Sequence, residues 1–137
     1  MITQAQANWT TDGLQFIARA SNGPAVVLDN PEGGSGATPM ELFLISIAAC
    51  TGMDVVSIMK KKRANMTNFQ VNISGDRADD HPKRYTHIRI EFVLSGKGIK
   101  PQDMERSIEL SVSKYCGAIA SLNATVEHSY RIIDDEK

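Results

Sequence analysis

At 137 residues the chain is long enough for one domain that buries roughly two thirds of its unfolded surface, and a single domain over residues 1–137 is expected. A hydrophobic fraction of 42%, charged residues at 23%, ten glycines and five prolines fit a soluble globular protein and exclude the fibrous and disordered classes. The formal net charge of −1 leaves a nucleic-acid or anionic-membrane role without electrostatic footing, so neither partner is expected.

The N-terminus, Met1-Ile2-Thr3-Gln4, shows no charged segment followed by an apolar one, so no secretory leader is read there and a cytoplasmic location is expected. The first thirty residues predict a small antiparallel sheet. Asp12-Gly13 is a hairpin-turn signal, Leu14, Phe16 and Ala18 alternate with Gln15 and Arg19, and Asn22-Gly23-Pro24 marks a second turn before the strand Ala25-Val26-Val27-Leu28. Gly33-Gly34-Ser35-Gly36 reads as a flexible loop. It lacks the Lys-Ser/Thr ending of a phosphate-binding loop.

Thr38-Pro39-Met40-Glu41 is a strong helix start, with Thr at the N-cap, Pro at the first helical position and Glu three residues beyond the cap. From Pro39 to about Lys62 there is no interior proline, and apolar residues occupy nearly every face as far as Met53. The apolar run Phe43 to Ala49 is far short of the ~20 residues of a membrane span, and Asp54 and Lys60 soon follow, so a buried helix is expected rather than a transmembrane one. One small domain has little material with which to surround such a helix, which points to a second subunit. The cluster Lys60-Lys61-Lys62-Arg63 complements the C-terminal end of the helix dipole.

Two strands follow, around Phe69 to Ile73 and around Ile88 to Leu94, separated by the turn Asp79-Asp80-His81-Pro82. Lys100-Pro101 opens a second helix in which Met104, Ile108, Leu110 and Val112 recur near helical spacing, and Lys114-Tyr115-Cys116-Gly117 lies close to its end. Ala118 to Leu122 predicts a short helical piece. Val126, His128, Tyr130 and Ile132 alternate against Glu127, Ser129 and Arg131 in a final strand.

Two cysteines, Cys50 and Cys116, are too few for a structural disulfide framework, and three readings are open: a redox pair, a catalytic thiol, or two inert core residues. Thr38-Pro39-Met40-Glu41-Leu42-Phe43, Ala48-Ala49-Cys50-Thr51 and Ser113-Lys114-Tyr115-Cys116 together resemble the paired signature of the OsmC/Ohr family. The resemblance runs over essentially the whole chain. It is strongest to the YhfA-type branch, through Pro39-Met40-Glu41, Asp54-Val55-Val56-Ser57-Ile58, Thr86-His87-Ile88 and His128-Ser129-Tyr130.

The resemblance implies an α+β OsmC-like fold, with antiparallel sheets packed on long central helices in an intertwined homodimer. It also implies a hydroperoxide substrate and an external thiol reductant as partners. Cys50 as a thiolate would attack the peroxide, and Cys116 would resolve the resulting sulfenic acid as a disulfide. The family's peroxide-reducing members carry a glutamate directly after the helix-starting proline and an arginine in an N-terminal strand or loop. Here Met40 follows Pro39, with Glu41 one place later, and the segment Asn8 to Gly13 holds no arginine, which leaves Arg19 as the nearest counterpart. Glu41 and Arg19 therefore join the two cysteines as candidate site residues, each with a structural alternative: the cap partner of Thr38, and a solvent-facing strand residue.

A different functional class is also consistent with these departures, namely a noncatalytic dimeric binding or redox-sensing protein. His81, His87 and His128 are widely spaced and offer no zinc-ligand pattern, so no metal and no cofactor are expected. Met40, Met53 and Met59 suit either core filling or the lining of an apolar pocket.

Overall fold

In the computed structural model, which describes residues 1–135, the turn signals and alternation of the sequence resolve into two three-stranded sheets and a set of helices. The chain forms two compact units, Met1–Phe43 and the portion from Leu44 onward, and the division falls within the first helix.

In the first unit, β1 (Ala5–Trp9), β2 (Phe16–Ala20) and β3 (Ala25–Leu28) make an antiparallel meander in which Trp9 pairs with Phe16 and Ile17 with Val27. The Trp9 indole N–H donates to the Gly13 carbonyl at 2.9 Å and closes the first turn. The loop after β3 is not loose. Asp29, buried, accepts hydrogen bonds from the Asn30 and Ser35 amides at 2.8 and 3.2 Å and from the Ser35 hydroxyl. The Ser35 hydroxyl is the main reason that its carboxyl stays below the ordinary range. A Cβ at Gly33 would lie 2.3 Å from an Asp29 carboxylate oxygen, so a larger residue there would have to displace that carboxylate. The glycine-rich segment expected to be flexible is thus wrapped around a carboxylate, whose partners are the amides and hydroxyl that the small residues leave accessible.

The first helix, α1 (Pro39–Lys61), begins as its capping residues dictate: the Thr38 amide donates to Glu41 Oε1 at 2.9 Å and the Glu41 amide to Thr38 Oγ1 at 3.2 Å. It ends where Arg63 takes a left-handed conformation (φ 58°) and the Ala64 amide turns back to the Met59 carbonyl at 3.0 Å. At 23 residues α1 is long and apolar enough, by length and composition, to cross a bilayer, which the run Phe43–Ala49 alone does not reveal. Within the second unit its stripe Ile47, Thr51, Gly52, Val55 and Met59 is buried.

The second sheet, ordered β4-β5-β6, gives that stripe its floor. β4 (Asn65–Arg77) and β5 (Tyr85–Lys97) form a long antiparallel hairpin, and β6 (Thr125–Asp134) runs parallel to β5. The second sheet is therefore mixed: the expected antiparallel pairing holds throughout the first sheet and for β4 with β5, and β6 adds a parallel strand. A parallel neighbour requires a crossover, supplied here by the helices between β5 and β6. β5 is central, and Ile88, Ile90, Phe92 and Leu94 are almost wholly buried, with Phe92 stacked on Phe69 of β4 at 6.3 Å. The crossover begins with α2 (Pro101–Leu110), which adds Met104 and Ile108 to the core. It continues through a π-helical turn, Ser111–Tyr115, and a single helical turn, α3 (Gly117–Ala120).

Candidate functional site

Cys50 lies on α1, half-buried, one residue before the fully buried Thr51. Cys116 lies in the extended step (φ −77°, ψ 101°) between the π-helical turn and α3, with 4% of its surface exposed. Its sulfur accepts the Ile119 amide at 3.4 Å and serves as the cap of α3. The fold brings the two thiols near enough for Cys50 to influence the titration of Cys116.

Burial pushes the Cys116 thiol up to about 11, and the adjoining Cys50 adds to the rise against the opposing pull of the Ile119 amide. Cys116 therefore holds its proton at neutral pH. A neutral S–H beside a second sulfur can donate to that sulfur when it ionises.

The turn that presents Cys116 is tied to α1 by side chains that sequence reasoning passed over. Ser111, fully buried, donates its hydroxyl to Asp54 Oδ2 at 2.8 Å, and its carbonyl accepts the Cys116 amide at 2.8 Å. One helical turn earlier, the Ser107 hydroxyl meets Met59 Sδ at 3.1 Å. Asp54 had a signal of its own: it is the only acid between Glu41 and Lys60, one turn after Cys50. Ser111 had none without the π-helical winding, since five residues before Cys116 is not a helical neighbour in an ordinary α-helix.

The other candidates stand apart from the thiols in role. Glu41 Oε1 is engaged by the Thr38 amide, which is also the largest cause that holds this carboxyl below its usual range. Arg19 is exposed on β2, opposite Gln6 and Ala25, and borders an open hollow with Gln4 and Ser21. His87 lies 3.4 Å from Glu127 on the sheet surface, and among the described residues no group of three or more His, Cys, Asp or Glu is gathered as a metal would require. Met59 is core, whereas Met53 is 72% exposed on α1.

The sequence model of the family described as OsmC-like protein matches residues 32–131, a span that contains both cysteines and the α1 cap. The chain belongs to the OsmC/Ohr family. Among its OsmC/Ohr relatives, Protein YhfA of Escherichia coli K12 is 31% identical over 132 residues, covering 95% of this chain and 98% of that one. The crystal structure of a hypothetical protein from Aquifex aeolicus VF5 is 28% identical and superposes with a TM-score of 0.81 over 98% of this chain and 99% of the other. The organic hydroperoxide resistance protein OhrB of Bacillus subtilis has the same fold, with a TM-score of 0.62 at 15% identity over 96% of this chain and 98% of its own. The OsmC-like fold thus accounts for the order of strands and helices, the mixed second sheet included.

Proposed function

We propose that this OsmC/Ohr protein is a thiol-dependent hydroperoxide reductase. The observation that carries the reading is the adjacency of a half-buried Cys50 and a buried, protonated Cys116. An ordinary thiol with a pKa of about 8.5 is only a few per cent ionised at neutral pH, so a nucleophilic sulfur gains from a neighbour that donates to its thiolate.

In the proposed cycle the Cys50 thiolate attacks the outer oxygen of a hydroperoxide. The O–O bond breaks, the alkoxide leaves and takes a proton as alcohol, and Cys50 becomes a sulfenic acid. Cys116 then gives up its proton as its sulfur displaces hydroxide, so that water leaves and the disulfide forms. A dithiol reductant, in a reducing compartment such as the cytoplasm, returns both thiols by exchange. Membership in a family that includes organic hydroperoxide resistance proteins supports an organic peroxide as substrate.

Free thiols counted after addition of cumene hydroperoxide test the cycle. The expected result is loss of both thiols in the wild type, no disulfide in Cys50→Ser, and recovery with repeated turnover when a dithiol is supplied. Thiols indifferent to peroxide would overturn it.

A second reading, a noncatalytic redox-sensing protein, is favoured by one observation: the Glu41 carboxylate is committed to the α1 cap and Met40 occupies the position before it. That reading predicts one stoichiometric oxidation without turnover under any dithiol.

We also propose that the working protein is a homodimer. Phe43, Ile45 and Met53 on α1 are half or more exposed, an apolar surface that a second copy would cover.

A further inference from the structure

Ser111 is bonded in two directions at once. Its buried hydroxyl reaches Asp54 on α1, one turn beyond Cys50, and its carbonyl holds the Cys116 amide across the π-helical turn. The α2 helix already meets α1 one turn earlier through the Ser107–Met59 contact, and its Met104 and Ile108 are buried in the core. What the Ser111 link adds is local. It fixes the winding of the five residues that lead into Cys116, and π-helical winding is a conformation that needs such support.

We propose that Asp54 and Ser111 are positioning residues for the second chemical step: they hold the π-helical turn against α1 so that Cys116 Sγ stays aimed at Cys50. This rests on the thiol peroxidase reading for its place in the cycle. In that step the S–O bond of the Cys50 sulfenic acid breaks and an S–S bond to Cys116 forms. The hydroxide leaves as water with the Cys116 proton, and the two electrons have already passed to the hydroperoxide. A turn free to relax toward ordinary α-helical winding would rotate Cys116 away, and the sulfenic acid would persist.

The test uses the full chain as wild type, Ser111→Ala, Asp54→Ala and Asp54→Asn. Cumene hydroperoxide is added, and a dimedone trap read by mass spectrometry separates sulfenic acid formation from disulfide closure. Expected are equal rates of sulfenic acid formation, and closure slowed roughly tenfold in Ser111→Ala and Asp54→Ala, the scale of one lost hydrogen bond. Asp54→Asn should close at close to the wild-type rate, because its amide oxygen still accepts the Ser111 hydroxyl.

Unchanged closure in both alanine variants would overturn the proposal, as would an equal loss in both steps, which marks a merely structural role. Ser111→Ala removes a single oxygen and carries the test should Asp54→Ala fail to fold.

A second arm needs no peroxide: the Cys50–Cys116 pair is equilibrated with glutathione redox buffers and its effective concentration measured. The same tenfold fall there, with a wild type that ignores peroxide, would uphold the positioning role while ending the peroxidase reading.

Discussion

Cys116 keeps its proton because it is buried beside another sulfur, and this makes the two thiols chemically unequal. Alkylation by iodoacetamide at pH 8, followed by peptide mass spectrometry, should modify half-buried Cys50 first, with Cys116 reacting appreciably only as the pH approaches the value of about 11 to which its thiol is pushed. Equal labelling rates at pH 8 would contradict the asymmetry. The same shift has a stability consequence. The folded state raises this pKa from 9.0 to about 11, so the fold favours the protonated thiol; that contribution is full below about pH 9 and is lost as the pH climbs toward 11. Denaturant midpoints measured from pH 8 to 11 should therefore fall more steeply for the wild type than for Cys116→Ser. At this scale the two cysteines were legible through the family signature around them. Their pairing was legible only through that resemblance, because the chain separation that the fold spans leaves no trace in spacing. Ser111 was missed for a related reason, since its bond to Cys116 depends on π-helical winding, whereas Asp54 stood out as the only acid between Glu41 and Lys60.

Among the elements, the helix boundaries were the most legible, since caps act over three or four residues. The Thr38–Glu41 box stands as its residues predict, and Thr38→Ala should cost roughly 1 kcal/mol by chemical denaturation. A stability unchanged within error would show that α1 is held by packing alone. Sheet pairing was less legible. The alternation around Phe69 to Ile73 and Ile88 to Leu94 found the centres of β4 and β5 but not their 13-residue lengths, because the outer pairs are polar ones such as Asp76 with His87 and Asn65 with Lys97. Nor did alternation distinguish a parallel β6 from an antiparallel one, since side chains alternate identically in both. Gly52 shows how α1 meets this sheet. A Cβ there would lie 3.3 Å from Val71 Cγ2 and 3.5 Å from Phe69 Cε2. Gly52→Ala gains about 1 kcal/mol of helix propensity against a contact that a half-buried Val71 can relieve, so it should be near neutral. Gly52→Val drives two further methyls toward that gap and should destabilise by about 1–3 kcal/mol, again read by denaturation. Equal stability of the two variants would mean that the helix is not seated as closely as the geometry shows.

At the scale of the whole molecule, the distribution of apolar surface is the observation behind the proposed dimer. On α1, Ile45 and Met53 are 50% and 72% exposed, although the same helix buries Ile47, Val55 and Met59 within its own unit. In the first unit Leu14, Phe16, Val26 and Val27 are exposed as well, and an apolar hollow of about 420 Å³ opens beside Leu14 and Phe16. A helix apolar on every face has two surfaces to satisfy, and the second sheet covers only one of them. The proposed dimer covers the other, and it brings the exposed flank of α1, on which Cys50 is only half-buried, under a neighbouring subunit. Ile45→Asp with Met53→Asp tests this with little risk to the fold, because both side chains are exposed in the single chain and neither contributes to its core. Sedimentation should give about twice the 15.0 kDa chain mass for the wild type and a species near 15.0 kDa for the double variant. Circular dichroism would establish that the variant remains folded. If the wild type sediments near 15.0 kDa, the dimer is wrong, and the apolar flank of α1 must meet some other surface. If the double variant stays dimeric, the interface lies elsewhere on the chain, and the exposed meander of the first unit becomes the next surface to mutate.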